Sequence, residues 1–125
     1  MVRAHIIGTL AAMQQTREEK IMSAFDELYR GVIETWKDGD SWYRKWNDGW
    51  VEQGGYHKNT STLDTVTLHT PFKTSNYTLV VSDYKTTSVA GGHTTSPFGC
   101  EKTTTTFKIS QVKNTYEAFW YAAGY

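Results

Sequence analysis

The chain has 125 residues, the size of one domain, and leaves no room for two full enzyme domains. Thirteen basic side chains balance thirteen acidic ones, so no broad cationic field draws in nucleic acid or an anionic membrane. A lone cysteine, Cys100, excludes an internal disulfide and a multi-cysteine zinc site, while five Trp and eight Tyr in a chain only 38% hydrophobic are the composition of an aromatic-rich β-module or an interface protein.

Residues 1–40 are mostly helix formers. Only three of nineteen threonines fall there and sixteen follow from Thr60 onward, so the chain reads as helix first and sheet second, with a boundary at Asp38-Gly39-Asp40. Thr16-Arg17-Glu18-Glu19 fits a capping box and predicts a helix over 17–36. Ile21, Phe25, Leu28 and Val32 recur at a/d spacing, widened by Met22, Tyr29, Ile33 and Trp36. That apolar face packs either on its own sheet or against copies of itself. The second reading is preferred because the sheet to come looks too small to cover it. No apolar run approaches the roughly 20 residues of a membrane helix, so no membrane insertion is expected.

Asn47-Asp48-Gly49 separates two aromatic-rich runs and predicts a hairpin, closed by a three-residue turn with glycine at the positive-φ position. That closure pairs Trp46 with Trp50 and Arg44 with Glu52; a two-residue loop at Asp48-Gly49 would shift the pairing by one. In Trp42-Tyr43-Arg44-Lys45-Trp46, aromatics alternate with cations, a pattern that can stack a sugar or a single-stranded base. Alternation also puts Trp42, Arg44 and Trp46 on one face, where a core or interface role is the stronger reading. Further strands are predicted over 62–68, 77–84, 103–112 and 118–121, a small antiparallel β-sandwich. Residues 86–99 form the longest candidate loop. Its Thr86, Thr87, Ser88, His93, Thr94, Thr95, Ser96 and Phe98 combine hydroxyls with a ring and an imidazole, a set able to hydrogen-bond a glycan and stack on it.

Catalytic constellations are thin. Cys100 has His93 seven residues upstream, but nothing in the sequence orients the pair, and a single cysteine commonly serves as a small buried hydrophobe. Asp38, Asp40 and Asp48 lack the spacing of a calcium loop, since Trp42 stands where a third oxygen belongs. Asp64, Asp83, Glu101 and Glu117 show no glycosidase spacing. The expectation is a non-enzyme without cofactor.

Three blocks point further. Trp46-Asn47-Asp48-Gly49-Trp50-Val51-Glu52-Gln53-Gly54-Gly55, then Pro71-Phe72 with Asn76-Tyr77-Thr78, then Phe119-Trp120-Tyr121-Ala122-Ala123-Gly124-Tyr125 resemble the C-terminal domain of bacteriophage tail-fibre proteins, in the family's order, over residues 43–125. The first block is specific; the other two are weak alone. The resemblance implies a homotrimeric β-sandwich fibre tip that recognises a bacterial surface glycan or outer-membrane protein during host adsorption, located on the virion tail and assembled in the bacterial cytoplasm. A three-fold axis would turn one His69 or His93 into three metal ligands, as in some fibre tips. Residues 1–38 lie outside the resemblance.

The resulting expectation is an α+β chain: a helical segment over 1–40, a trimeric coiled-coil stalk packed through Ile21, Phe25, Leu28 and Val32 that docks on a virion tail or baseplate protein, and a β-sandwich tip over 41–125. Trp46, Trp50, Trp120 and Tyr121 are expected in its core or subunit interface. A fragment of a longer fibre is the other reading of so short a stalk. A baseplate or capsid-decoration component without receptor binding and a polysaccharide depolymerase are the alternative functions.

Overall fold

The computed structural model describes residues 13–14, 16–21, 30–85, 96–112 and 116–125. The chain divides into two units, Met1–Gly31 and Val32–Tyr125. In the first unit, residues 13–14 and 16–21 are helical, and Met13 and Ile21 are exposed. The expected Phe25 and Leu28 seam positions lie outside the described residues.

The second unit consists of antiparallel strands: β1 (Val32–Asp38), β2 (Ser41–Trp46), β3 (Val51–Lys58), β4 (Leu63–Thr67), β5 (Thr78–Tyr84), β6 (Phe98–Cys100), β7 (Thr106–Ser110) and β8 (Glu117–Gly124). They form a five-stranded sheet in the order β1-β2-β3-β8-β5 and a three-stranded sheet in the order β4-β7-β6.

The α+β expectation with a helical stalk is thereby overturned. Residues 32–36, placed in the helix by periodicity, are β1, and Val32, the last seam position, pairs with Trp46. The reason is local chemistry combined with a partner. Val32, Ile33, Thr35 and Trp36 are β-branched or aromatic and suit a pleated strand. The next turn, Gly39-Asp40, folds the run back on β2, with Gly39 at φ +58° in the first loop position that a tight hairpin reserves for glycine. A short apolar run fits a helical or an extended period equally well, and here the ladder to β2 decides.

The second hairpin closes as expected. Gly49 sits at φ +90°, its N–H donates to the Trp46 carbonyl at 3.1 Å, and the Trp46 N–H donates to the Trp50 carbonyl at 2.9 Å. Arg44 consequently stands opposite Glu52. The Asp48 carboxylate accepts the Trp50 N–H at 3.0 Å, which fastens the turn from inside.

The core fills the space between the sheets with Val51, Val66, Leu68, Phe72, Tyr77, Phe107, Ile109, Trp120 and Ala122. Trp120 of β8 meets Phe107 of β7 edge to face at 5.0 Å, and Phe72 stacks on Tyr77 at 4.2 Å. Burial pushes the Tyr77 phenol up to about 12, and its O–H donates to the Thr106 carbonyl at 3.1 Å. Gln53 is one of several buried polar residues and lies fully inside on β3. Its amide donates to the Thr70 carbonyl at 2.8 Å and its oxygen accepts the N–H groups of His69 and Thr70, so every group it brings inside is paired.

Candidate functional site

A three-stranded sheet cannot cover a five-stranded one, and side chains of the opposite parity point away from it altogether. On that outer face stand Trp42 and Arg44 of β2, Glu52 and Tyr56 of β3, Phe119 and Tyr121 of β8, and Val80 and Tyr84 of β5. Phe119 and Tyr121 remain 37% exposed and Val80 52%. Tyr56, Tyr84 and Phe119 meet edge to face at 4.8 to 6.3 Å, and Trp42 lies 6.1 Å from Tyr121. The Tyr56 O–H donates to Glu117 at 2.5 Å, and this bond, ahead of burial, pushes the phenol up to about 12. Tyr121 is raised first by burial and then by the Glu52 carboxylate. A contiguous exposed surface of rings marks a contact site on a folded protein.

Two adjacent glycines set which indole faces which way. A Cβ at Gly54 would lie 2.9 Å from Trp42 Nε1, so the Trp42 ring covers that residue on the outer face. A Cβ at Gly55 would lie 3.1 Å from Trp120 Nε1 and 3.3 Å from His69 Nε2, so Trp120 and His69 cover it on the inner face. The His69 ring sits 5.2 Å from Trp120 and 5.3 Å from Trp36, and Trp36 stacks on Tyr43 at 5.6 Å. Glu34 braces this outer end: it accepts the Tyr43 O–H at 2.6 Å and pairs with Lys45 at 3.2 Å. The Tyr43 bond, then Lys45, holds the Glu34 carboxyl below its ordinary value. Thr35, Trp36 and Lys37 of β1 with Trp42, Tyr43 and Arg44 of β2 line a hollow of about 530 Å³.

Among the described residues, a cluster reminiscent of hydrolytic chemistry joins Ser61, His57 and Asp64. Ser61 Oγ donates to Asp64 Oδ1 at 2.7 Å, and His57 Nε2 faces Asp64 Oδ2 at 2.9 Å. Serine and imidazole both address the carboxylate instead of each other, so the ring is not placed to take the serine proton. Burial would raise the Asp64 pKa, but the bonds from Ser61 Oγ, the Thr60 N–H, His57 and the Ser61 N–H outweigh it and hold the carboxyl far below the usual range. The cluster fastens the turn between β3 and β4.

Of the residues expected in the binding loop, Thr86, Thr87, Ser88, His93, Thr94 and Thr95 lie outside the described residues. Ser96 is exposed, and Phe98, at the start of β6, is exposed as well. Trp120 is buried in the core; Trp46 and Trp50 are half-buried, with Trp50 edge-on to Tyr125 at 5.1 Å; Tyr121 is exposed on the outer face. Cys100 stands on β6 opposite Lys108 as a free thiol. His69 Nε2 is engaged with the Gly54 carbonyl at 3.0 Å, which removes that nitrogen from metal binding. Among the described residues no three His, Cys, Asp or Glu side chains gather to hold a metal. Sequence reasoning missed the hollow between β1 and β2, because a strand that reads as helix hides the Thr35 and Lys37 side of it. The available signal was the tight-turn dipeptide Gly39-Asp40 between two aromatic runs.

The sequence matches no family model, and no curated protein is significantly similar to it. Solved structures are similar in fold. An R2-type pyocin tail fibre truncated at its N-terminus superposes with a TM-score of 0.56 at 20% identity, over 76% of this chain and 39% of that one. A C-terminal portion of the R2 pyocin fibre of P. aeruginosa does so with a TM-score of 0.55 at 22% identity, over 74% of this chain and 26% of that one. The chain spans well under half the length of the fibres it matches. The tail-fibre resemblance visible in the sequence holds in the fold, over about three quarters of the chain.

Proposed function

We propose that this chain works as the tip domain of a phage-like tail fibre, a non-enzymatic adhesin that recognises a bacterial surface glycan or outer-membrane protein as a homotrimer. The observation that carries the reading is the likeness in fold to solved pyocin tail fibres over about three quarters of the chain. The half-exposed rings of the outer face support self-association, since burying Phe119, Tyr121, Tyr84 and Val80 against other copies would remove apolar surface from water at about 25 cal/mol per Å². Three copies would multiply weak receptor contacts into avidity. The hydroxyl-rich run ending at Ser96 and Phe98 is the proposed receptor contact, and the segment ahead of the sheet is the proposed attachment to a tail or baseplate protein.

Two measurements test this. Fluorescently labelled chain should bind intact cells of a susceptible strain saturably and compete with virions for adsorption, and replacement of His93 and Phe98 by Ala should abolish both while leaving the thermal transition in place. Absence of cell binding together with stable binding to a virion protein would instead indicate a structural virion component, and release of oligosaccharide from purified capsule would indicate a depolymerase. Sedimentation at micromolar concentration should give three times the chain mass; a monodisperse monomer removes the trimer.

A further inference from the structure

The hollow between β1 and β2 is distinct from the loop proposed above and has a chemistry of its own. The register places Thr35 opposite Arg44 and Lys37 opposite Trp42, so these four side chains form a square on one face of the hairpin, while Trp36 and Tyr43, which also line the hollow, stand on the other. Trp42 lies over Gly54, where the missing Cβ lets the indole settle on the strand, with its ring 6.1 Å from that of Tyr121. Neither the Lys37 nor the Arg44 side chain makes a hydrogen bond or ion pair with another described residue. Among the described residues no acidic side chain lines the hollow; at its edge the Glu34 carboxylate is taken up by the Tyr43 hydroxyl and Lys45, and Glu52, opposite Arg44, acts on the Tyr121 hydroxyl. Two cationic side chains without an ion-pair partner, on the same face as an indole platform and a hydroxyl, are complementary to a ring-shaped ligand with apolar C–H faces and a negative charge.

We infer that this hollow is a subsite for an anionic saccharide, a pyranose bearing a carboxylate or phosphate that stacks on Trp42 while Arg44 and Lys37 hold its charge. The inference rests on the adhesin reading in treating a bacterial surface glycan as the source. Arg44 can clamp a carboxylate or phosphate with two parallel N–H bonds, Lys37 adds a point charge, and Thr35 can accept or donate to a sugar hydroxyl. Single-stranded nucleic acid shares the ring and the charge, but the chain as a whole has no net positive charge to follow a phosphate backbone.

The experiment titrates the purified full chain with trigalacturonic acid, with glucose 1-phosphate, with neutral maltotriose and with a ten-residue oligothymidylate, read by calorimetry and tryptophan fluorescence in low and high salt. The expected result is binding of an acidic sugar at least about tenfold tighter than maltotriose, weakened by salt, with Arg44→Ala and Lys37→Ala each costing about fivefold or more at an unchanged thermal transition. Preference between trigalacturonate and glucose 1-phosphate identifies carboxylate or phosphate as the recognised group, and either supports the subsite. Equal binding of neutral and acidic sugars overturns it, as does no binding of either acid at 10 mM, an unaffected Arg44→Ala/Lys37→Ala double variant, or a clear preference for the oligothymidylate. Loss of assembly in that double variant without loss of sugar binding would assign the hollow to a second copy and overturns it too. Cell adsorption that survives a failed titration sinks this subsite alone, whereas loss of adsorption in the chain with intact sugar binding sinks the adhesin reading alone.

Discussion

The two faces of the five-stranded sheet are built from similar residue types and meet opposite fates. On the inner face Trp120, Ala122, Val51 and Gln53 disappear beneath β4 and β7, while on the outer face Phe119, Tyr121, Val80 and Tyr84 remain open. The same strand, β8, alternates between them residue by residue: Ala118, Trp120 and Ala122 are buried, Phe119 and Tyr121 exposed. Aromatic content therefore does not separate a core from a contact surface. What separates them is whether another layer lies opposite, and here the second sheet lies against one face only.

The largest effects should come from attacking the covered face. Deleting residues 120–125 removes most of the strand that joins β3 to β5, and the product should lack the cooperative unfolding transition in circular dichroism; a native-like, soluble truncation would contradict the central place of β8. Trp120→Ala leaves a cavity beside Phe107 and His69 and should cost about 3–5 kcal/mol in denaturant unfolding. Next in size, Gln53→Leu keeps the volume but strands the His69 and Thr70 N–H groups and the Thr70 carbonyl, for an expected loss of about 2–4 kcal/mol.

Asp64 gives a pH-dependent version of the same test. Its folded-state pKa is depressed, so its contribution is complete above the unfolded carboxylate value near 4 and is lost as pH falls through the folded value. Acid titration of stability should therefore decline below about pH 4, and Asp64→Asn should flatten that limb while lowering neutral-pH stability by about 2 kcal/mol; an unchanged acid limb would remove the cluster from the stability balance. The smallest effect on stability belongs to the open face. Phe119→Ser and Tyr121→Ser should change unfolding by no more than about 1 kcal/mol, yet reduce the sedimenting mass if the rings join copies. A large loss of stability with unchanged mass would place these rings in the core economy of a single chain.

Much of this was legible in the sequence wherever the cause was local. Asn47-Asp48-Gly49 dictated its turn through one glycine at positive φ and one aspartate accepting a backbone N–H, and the pairing of Arg44 with Glu52 followed from that closure. Positions 62–68 and 77–84 announced strands by β-branching and alternation, and β4 and β5 formed inside those spans. Gly54-Gly55 was visible as a motif, but its purpose was not. Its two missing Cβ atoms make room for Trp42 and Trp120, which arrive from positions 12 residues before Gly54 and 65 residues after Gly55 along the chain.

By itself, then, the sequence determined the Asn47-Asp48-Gly49 turn, the alternation of side chains along the strands it marked and the tail-fibre likeness, because dihedral preferences and side-chain parity are properties of a few adjacent residues. Tertiary structure alone decided that Val32–Asp38 is an edge strand and not the end of a helix, which indole faces inward, and that Lys37 and Arg44 stand together beside a ring. Those outcomes depend on which strands pair and which face the second sheet covers. Such contacts join residues distant in sequence, and no periodicity within one segment encodes them.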